Sequence, residues 1–481
     1  MIPTPALEIA VLVWGLLLLL AEAFATKIDR RVFAVAGIVG LAVVLLGSFF
    51  LAPPPPVATS GFWSFYTADP LAIFFKRFAL VTTIIVLVMA IDYAPAIRMD
   101  VPGANPQAGL GEFFTLPIFT CAGLMWMASA IDFVMIFVSL ELVTISFYVL
   151  VTFTRRRPAS LEAGTKYLIL SALSTGFLVY GITWIFGVTG ETNLGRIGVA
   201  LTTQDIDQVP MLFGIALVLV ALGFKIAAVP CQIWVPDVYE GAPTPVTAFL
   251  SVGSKAAGFV VLLRVLVPFL ELPEVGNLLV GMAVLTLIYG NFAALPQTNL
   301  KRLLAYSSIA HAGYLLIGVV SLSGTAVSYY LVAYLLMTLL SFAVMVVVAR
   351  HGGERIEDYA GLAKRSPFLA GAMLVGMLSL AGIPFTAGFL GKFFIFYAAV
   401  SQHQTLLVVV GVVTVGCGFY YYLKVVRAMY WLEPVNPEPV PVSLFSRLTM
   451  IALMAAIFVL GVYPQPILNA LKAPVAIAAS R

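Results

Sequence analysis

Apolar runs of roughly bilayer-spanning length, about twenty residues, follow one another from end to end of this 481-residue chain. Fourteen of them lie near 6–25, 32–51, 69–91, 112–129, 131–154, 160–187, 209–236, 243–268, 274–296, 302–321, 324–350, 367–400, 404–432 and 444–466. In lipid a spanning segment must satisfy its own backbone polar groups, so each run is predicted to be a helix. The fold class is therefore an all-α polytopic membrane protein of about 14 transmembrane helices. Composition agrees: 62% of residues are hydrophobic and 10% are charged, where a soluble domain carries about 25% charged residues.

The seventh and twelfth runs are overlong and contain internal Pro and Gly, at Pro230 and at Gly382-Ile383-Pro384. Each lies in a block of five runs, residues 112–268 and 269–432. An odd number of spans per block inverts the second relative to the first, and inverted repeats with broken helices are a transporter design. A three-helix segment, 1–111, precedes the repeats, and a helix and tail, 433–481, follow them. The two blocks do not match in one respect: Lys225 precedes its break proline, whereas Lys392 follows Pro384. The first run has neither a basic n-region nor a small-residue cleavage site and is read as a retained helix.

Basic residues fall on alternate loops: Lys27, Arg30 and Arg31; Arg98; Arg155, Arg156 and Arg157; Lys301 and Arg302; Arg350, Arg355, Lys364 and Arg365; Arg427 and Arg447. The other side has Arg196, Lys472 and Arg481. The positive-inside rule puts both termini outside, in a multi-pass protein of the bacterial plasma (inner) membrane. Pro53–Pro56 is predicted to be a stiff outer connection and Pro434–Pro441 a similar inner one.

Several functions are disfavoured by absence of pattern. Cys121, Cys231 and Cys417 are scattered through apolar stretches, and His311, His351 and His403 share no ligand spacing. No G-x-G-x-x-G follows a strand. No cofactor or metal site is expected in this chain. The net charge of +4 sits in loops, so nucleic acid is not an expected partner; the lipid bilayer is.

What remains are charges inside the apolar runs, each costing about 2.5–3.5 kcal/mol or more at mid-bilayer. Glu141 lies mid-run in FVSLELVTISFYVL, and Lys166 sits one to two turns inside LEAGTKYLILSALSTG. Lys225 is deep and close to a break, Lys255 follows the small residues Ser251, Gly253 and Ser254, and Lys392 lies in FLGKFFIF. These five are the candidate ion-pathway residues, with His311 in SSIAHAGY and Lys424 in YYYLKVVR as possible relays. Structural readings stand beside them: Lys166 and Lys424 as snorkelling anchors, Glu141 as a helix-packing carboxylate, His311 as a core histidine bonded to serine. Lys76 and Arg77 are read as a subunit contact or water-facing pair, Glu8 and Glu22 as interfacial, Arg264 as an anchor, and Tyr420, Tyr421 and Tyr422 as packing or belt residues.

Residues 224–258, FKIAAVPCQIWVPDVYEGAPTPVTAFLSVGSKAAGF, resemble the signature of the antiporter-like membrane subunits of respiratory complex I (NADH-quinone oxidoreductase), most of all the NuoN and NdhB type. EAGTKYLILSALSTG, NLKRLLAYSSIAHAGY and LAGIPFTAGFLGKFFIF extend the resemblance over nearly all the chain. The resemblance implies proton translocation through Glu141, Lys166, Lys225, Lys255 and Lys392. Lys225 would lie in one half-channel with Glu141 as counter-charge, Lys255 would link, and Lys392 would lie at the exit. It also implies partners: other membrane-arm subunits, including further antiporter-like ones, and subunits holding NAD, FMN, iron-sulfur clusters and quinone. One departure is Cys231-Gln232, where members commonly have Phe-His; an amide cannot carry a proton by titration. An Mrp-type cation/proton antiporter subunit and a purely structural membrane-arm subunit are the competing readings.

The energetic scale suits such a pump. A carboxylate drawn towards a buried ammonium keeps it charged, and the same ammonium alone in a dry site sheds its proton. A potential of about 150–200 mV opposes each proton by roughly 3.5–4.6 kcal/mol. Buried lysines change proton affinity by up to roughly 4–7 kcal/mol.

Overall fold

In the computed structural model, residues 5–24, 28–51, 63–100, 109–270, 272–349, 353–434 and 437–471 are described, and the connection expected at Pro53–Pro56 lies outside them. Thirteen of their helices are long and apolar enough to cross a membrane, and a fourteenth crossing is made of two shorter apolar helices. No strand occurs among these residues; Tyr66–Ala130, Asp132–Asn193 and Asn299–Arg355 are single-residue bridges between loops.

The N-terminal segment contains α1 (Ala6–Phe24), α2 (Arg31–Gly47) and α3 (Pro70–Asp100). There follow α4 (Leu110–Ser129), α5 (Phe133–Val151) and α6 (Pro158–Thr189), then a short amphipathic helix, α7 (Leu194–Thr203). The seventh crossing is α8 (Gln208–Ile226) with α9 (Val235–Gly241) beyond its break. The eighth runs from α10 (Thr244–Phe249) through a π-helical turn, Leu250–Ser254, into α11 (Lys255–Leu266). Next come α12 (Pro273–Ala294), α13 (Leu300–Val320), α14 (Gly324–Ala349) and the single turn α15 (Leu362–Arg365). The twelfth crossing is α16 (Pro367–Ala381) plus α17 (Ala387–Ser401), followed by α18 (Thr405–Trp431), α19 (Leu444–Val462) and α20 (Gln465–Leu471).

Helix starts follow local chemistry. Asp132, Asn193, Asp207, Asn299 and Ser443 accept from backbone N–H groups of the first turns of α5, α7, α8, α13 and α19. Pro158, Pro273 and Pro367 open α6, α12 and α16, where a missing N–H costs nothing. The eighth crossing, α13 and α14 are buried almost throughout, whereas α1, α2, α6 and α19 turn most of their surface outward. The core is therefore a central set of helices flanked by both breaks.

The expectations for five residues are corrected here. Glu8 is not interfacial and Lys76 is not water-facing: they form a fully buried ion pair at 2.8 Å, and Lys76 Nζ also donates to Tyr66 OH at 2.6 Å. Arg77 is covered by its own chain, donating to Ser48 with its guanidinium 4.0 Å from the Phe49 ring centroid. Glu22 is buried against Gly111, with Arg30 at 3.7 Å. Arg264 is a tertiary clamp rather than a lipid anchor: it makes two bonds to Asp69, at 2.9 and 2.7 Å, and two to the Ala128 carbonyl. Burial opposes ionisation of Asp69, but the bonds from Arg264 outweigh it and hold that carboxyl below its ordinary value. For Glu8, Lys76, Arg77 and Arg264 the partner that covers the charge is distant in sequence.

Candidate functional site

Both breaks expose helix-end carbonyls that the membrane cannot hydrate. At the first, Ala227 adopts a left-handed conformation (φ 67°), and the N–H groups of Ala227 and Ala228 close back onto Phe224 and Gly223. Trp234 Nε1 donates to the Phe224 carbonyl at 3.0 Å, and Val229 N donates to Thr286 Oγ1 at 2.9 Å. Lys225 stands in the last turn of α8, and its buried Nζ donates to Thr144 Oγ1 at 2.7 Å. Thr144 lies one turn along α5 from Glu141, whose half-buried carboxylate accepts from Thr175 Oγ1 at 2.7 Å. Glu141 and Lys225 are thus neighbours across a threonine rather than a contact ion pair.

At the second break Gly382 is the left-handed residue (φ 88°), and a Cβ there would lie 3.1 Å from Lys392 Cδ. Lys392 reaches back from α17 and donates to the last carbonyls of α16, Leu380 O and Ala381 O, both at 2.9 Å. This explains the mismatch in the sequence. Although Lys392 follows its proline and Lys225 precedes its own, both ammoniums sit at the C-terminal, negative end of a first half-helix.

Lys255 begins α11 directly after the π-helical turn, a feature that often marks functional sites. Its Nζ donates to the carbonyl and hydroxyl of Ser308, and the Tyr334 ring centroid is 5.4 Å away. Gly258, three residues on, packs against the Lys225 stem, so α11 joins the first break to α13. From Ser308 the polar groups continue along α13. Ser307 bonds Tyr422 OH, which lies 3.0 Å from His311 Nε2; His311 Nδ1 lies 2.6 Å from Tyr330 OH. Tyr330 packs on Gly391, beside Lys392, and Lys392 Nζ is 5.1 Å from the Tyr314 ring centroid.

Four of the predicted residues, Lys225, Lys255, His311 and Lys392, thus lie in succession through the buried interior, with the half-buried Glu141 beside the first. Two do not join them. Lys166 pairs with Asp237 at 2.6 Å and Glu162 at 2.7 Å at the face carrying the basic loops, with a partly exposed side chain. Lys424 donates to the Gln297 carbonyl at 2.9 Å and lines a cleft of about 510 Å³ at the same face. His311 is bonded to two tyrosines rather than to a serine. Tyr422 is part of the line and Tyr421 donates to Asn291 at 3.1 Å, which corrects their reading as packing. A signal was available: a buried histidine requires partners, and hydroxyl-bearing aromatics in other spans are the residues long enough to supply them. Gln232 is buried in the turn after the first break, and its Oε1 has no hydrogen-bond partner among the described residues.

Outside the line, Asp237 accepts from Lys166 and from Arg302 (2.9 Å), tying α9 to α6 and α13. Burial opposes its ionisation, but those two cations outweigh it and hold the carboxyl below its ordinary value.

Buried lysines held by hydroxyls and carbonyls, strung through a bundle with two broken crossings, define an ion-handling polytopic membrane protein. Similarity to known proteins narrows that class. The family described as NADH:quinone oxidoreductase/Mrp antiporter, TM, matches residues 130–418. The chain is 39% identical to NADH-quinone oxidoreductase subunit N of Moorella thermoacetica, over 97% of this chain and 95% of that one. Its fold matches a chain in respiratory complex I from Thermus thermophilus with TM-score 0.81 and 31% identity, covering 96% and 98% of the two chains. A chain in the Mrp complex of Dietzia shares the fold at TM-score 0.84 with 21% identity, covering 98% and 96%. The chain belongs to the antiporter-like membrane subunits, in the family of NADH-quinone oxidoreductase subunit N.

Proposed function

We propose that this chain carries protons across the membrane as a subunit of NADH-quinone oxidoreductase, using Glu141, Lys225, Lys255, His311 and Lys392. The observation that carries the reading is the buried set itself: three lysines whose ammoniums are held by neutral oxygens, with serine and tyrosine hydroxyls and one imidazole placed between Lys255 and Lys392. Such holders leave each amine able to gain and lose a proton, whereas a tight carboxylate pair would fix its charge. Lys225 is loaded when Glu141 approaches, Lys255 passes charge along α13, and Lys392 discharges at the second break. Lys166 and Lys424 act at the rim.

The two blocks, 112–268 and 269–432, are read as inverted repeats flanked by 1–111 and 433–481; equivalent lysine placement at both breaks supports this. The distribution of basic loops supports both termini lying outside a bacterial inner membrane. The driving energy comes from partner subunits, to which NAD, FMN, iron-sulfur clusters and quinone belong, and the chain docks among other antiporter-like subunits of the membrane arm.

The fold does not separate this reading from cation/proton antiport, since the Mrp chain fits it as well; identity does, at 39% and 31% against 21%. Two measurements test the proposal. Purified, fully assembled complexes bearing Lys225→Ala or Glu141→Ala should show a reduced proton-to-electron ratio; a normal ratio in both would overturn it. Sodium- or potassium-dependent proton flux by the isolated chain would favour antiport.

A further inference from the structure

The line from Lys225 to Lys392 leaves out Lys301, yet its side chain is fully buried. Its Nζ lies 2.6 Å from Glu354 Oε1 and donates to the Ala242 carbonyl at 3.0 Å. Its neighbour Arg302 turns the other way, to Asp237 and Glu240. Glu354 is partly open and lines a cleft of about 620 Å³ at the basic-loop face, with Asp100, Arg157 and Arg355. On the inner flank of the pair, Ala242 sits in the turn between α9 and α10. Two residues on, Thr244 is fully buried, and its Oγ1 has no hydrogen-bond partner among the described residues. Thr247 and Ser251 follow along the same helical face and lead to Lys255. At about 1.5 Å rise per residue the steps are about 4.5–6 Å, the span of one bridging water. Ser251 lies beside Tyr239 and Tyr334, the latter facing Lys255.

We propose that Lys301 and Glu354 form the gate of a proton inlet that runs from this cleft along Thr244, Thr247 and Ser251 to Lys255, bypassing Lys225. The inlet rests on the proton-carrying role of Lys255 proposed above. A proton from cleft water neutralises the Glu354 carboxylate and frees Lys301. The Lys301 ammonium passes a proton along the hydroxyls to the neutral Lys255 amine. The Glu354 acid then returns a proton to the Lys301 amine and restores the pair. One proton moves from cleft to Lys255, and nothing else is consumed.

The test uses the assembled complex in vesicles with the basic-loop face outward, with Cys121, Cys231 and Cys417 replaced by alanine and Thr244→Cys added. The probe is a membrane-impermeant trimethylammonium methanethiosulfonate. Removing either gate residue, by Lys301→Ala or Glu354→Ala, should speed labelling of position 244 about tenfold, within the roughly 5–150-fold range of intramolecular couplings. Right-side-out vesicles should stay unlabelled. Glu354→Gln should slow pumping, and Glu354→Asp should restore part of it. Labelling no faster in both open-gate variants, or wild-type pumping by Glu354→Gln, would overturn the inlet. If Lys225→Ala still abolishes pumping in that case, the proposed function stands without it. Faster labelling combined with normal pumping by Lys225→Ala would overturn the loading role given to Lys225 in the proposed function and leave the inlet to Lys255 standing.

Discussion

The two breaks solve one problem with different materials. At the first, the helix end is closed by backbone turns and Trp234, and Lys225 is free to bond a side-chain hydroxyl, Thr144, with Glu141 one turn away. At the second, the lysine is itself the closure, since Lys392 caps the carbonyls of Leu380 and Ala381. The difference separates an ammonium that is dispensable to the fold from one that is built into it. The first is suited to changing charge under the control of a carboxylate. The second can lose its proton only by loosening a helix end, which ties discharge to a change in shape.

The largest expected effect breaks the comparison if it is wrong. Lys392→Met leaves two buried carbonyls unpaired, at about 1–3 kcal/mol each. Lys225→Met leaves Thr144 still bonded to the Leu140 carbonyl at 2.6 Å. Melting of the purified complexes should show Lys392→Met clearly destabilised and Lys225→Met near wild type, with pumping lost in the first and reduced in the second. Equal losses of stability would mean that both lysines serve the fold alike. Lys225→Arg should reduce pumping as much as Lys225→Met does, because a guanidinium does not release its proton.

Smaller effects sharpen it. Gly382→Ala forces a side chain into a left-handed backbone and against the Lys392 stem. It should cost about 1–2 kcal/mol, from strain of the kind seen at such positions. The equivalent residue at the first break, Ala227, already tolerates φ 67°, so Ala227→Gly should be neutral or mildly stabilising. Thr144→Val removes the only side-chain oxygen bonded to Lys225 among the described residues; it should cost about 1–2 kcal/mol and slow pumping while leaving assembly intact. Unchanged turnover would show that Glu141 needs no intermediary.

Why was so much of this visible in the letters? Lipid makes charge conspicuous, so Glu141, Lys225, Lys255 and Lys392 stood out by cost alone. The breaks were equally legible, because proline and glycine interrupt an apolar run that otherwise has no reason to stop. Pairing was not legible. Glu8 reads as interfacial and Lys76 as a subunit contact or water-facing residue, since nothing local says that two such charges meet and bury one another. Lys301 looked like one more basic loop residue because it sits at the margin of its run; only the fold carries Glu354 over it. Tyr330 and Tyr422 were hidden differently. A tyrosine in a membrane helix reads as belt or packing until its hydroxyl is seen beside His311.

The rim supplies the smallest contrast, between a charge that must titrate and one that must not. Asp237 is held ionised by Lys166 and Arg302, and its partly exposed pairs are worth about 0.5–1 kcal/mol each at most. A carboxyl whose folded value is depressed contributes its full stabilisation above the unfolded value of about 3.9 and loses it only as pH falls through the folded one. Asp237→Asn should therefore lower the melting temperature by a small amount that stays constant between about pH 5 and pH 8, because both limits lie above that window. A difference that grows or fades within this range would place Asp237 among the groups that change charge in turnover. It would then belong with Glu141 rather than with the clamps. A constant difference leaves the working charges confined to the buried line and its inlet, with the rim holding α9 in place while they move.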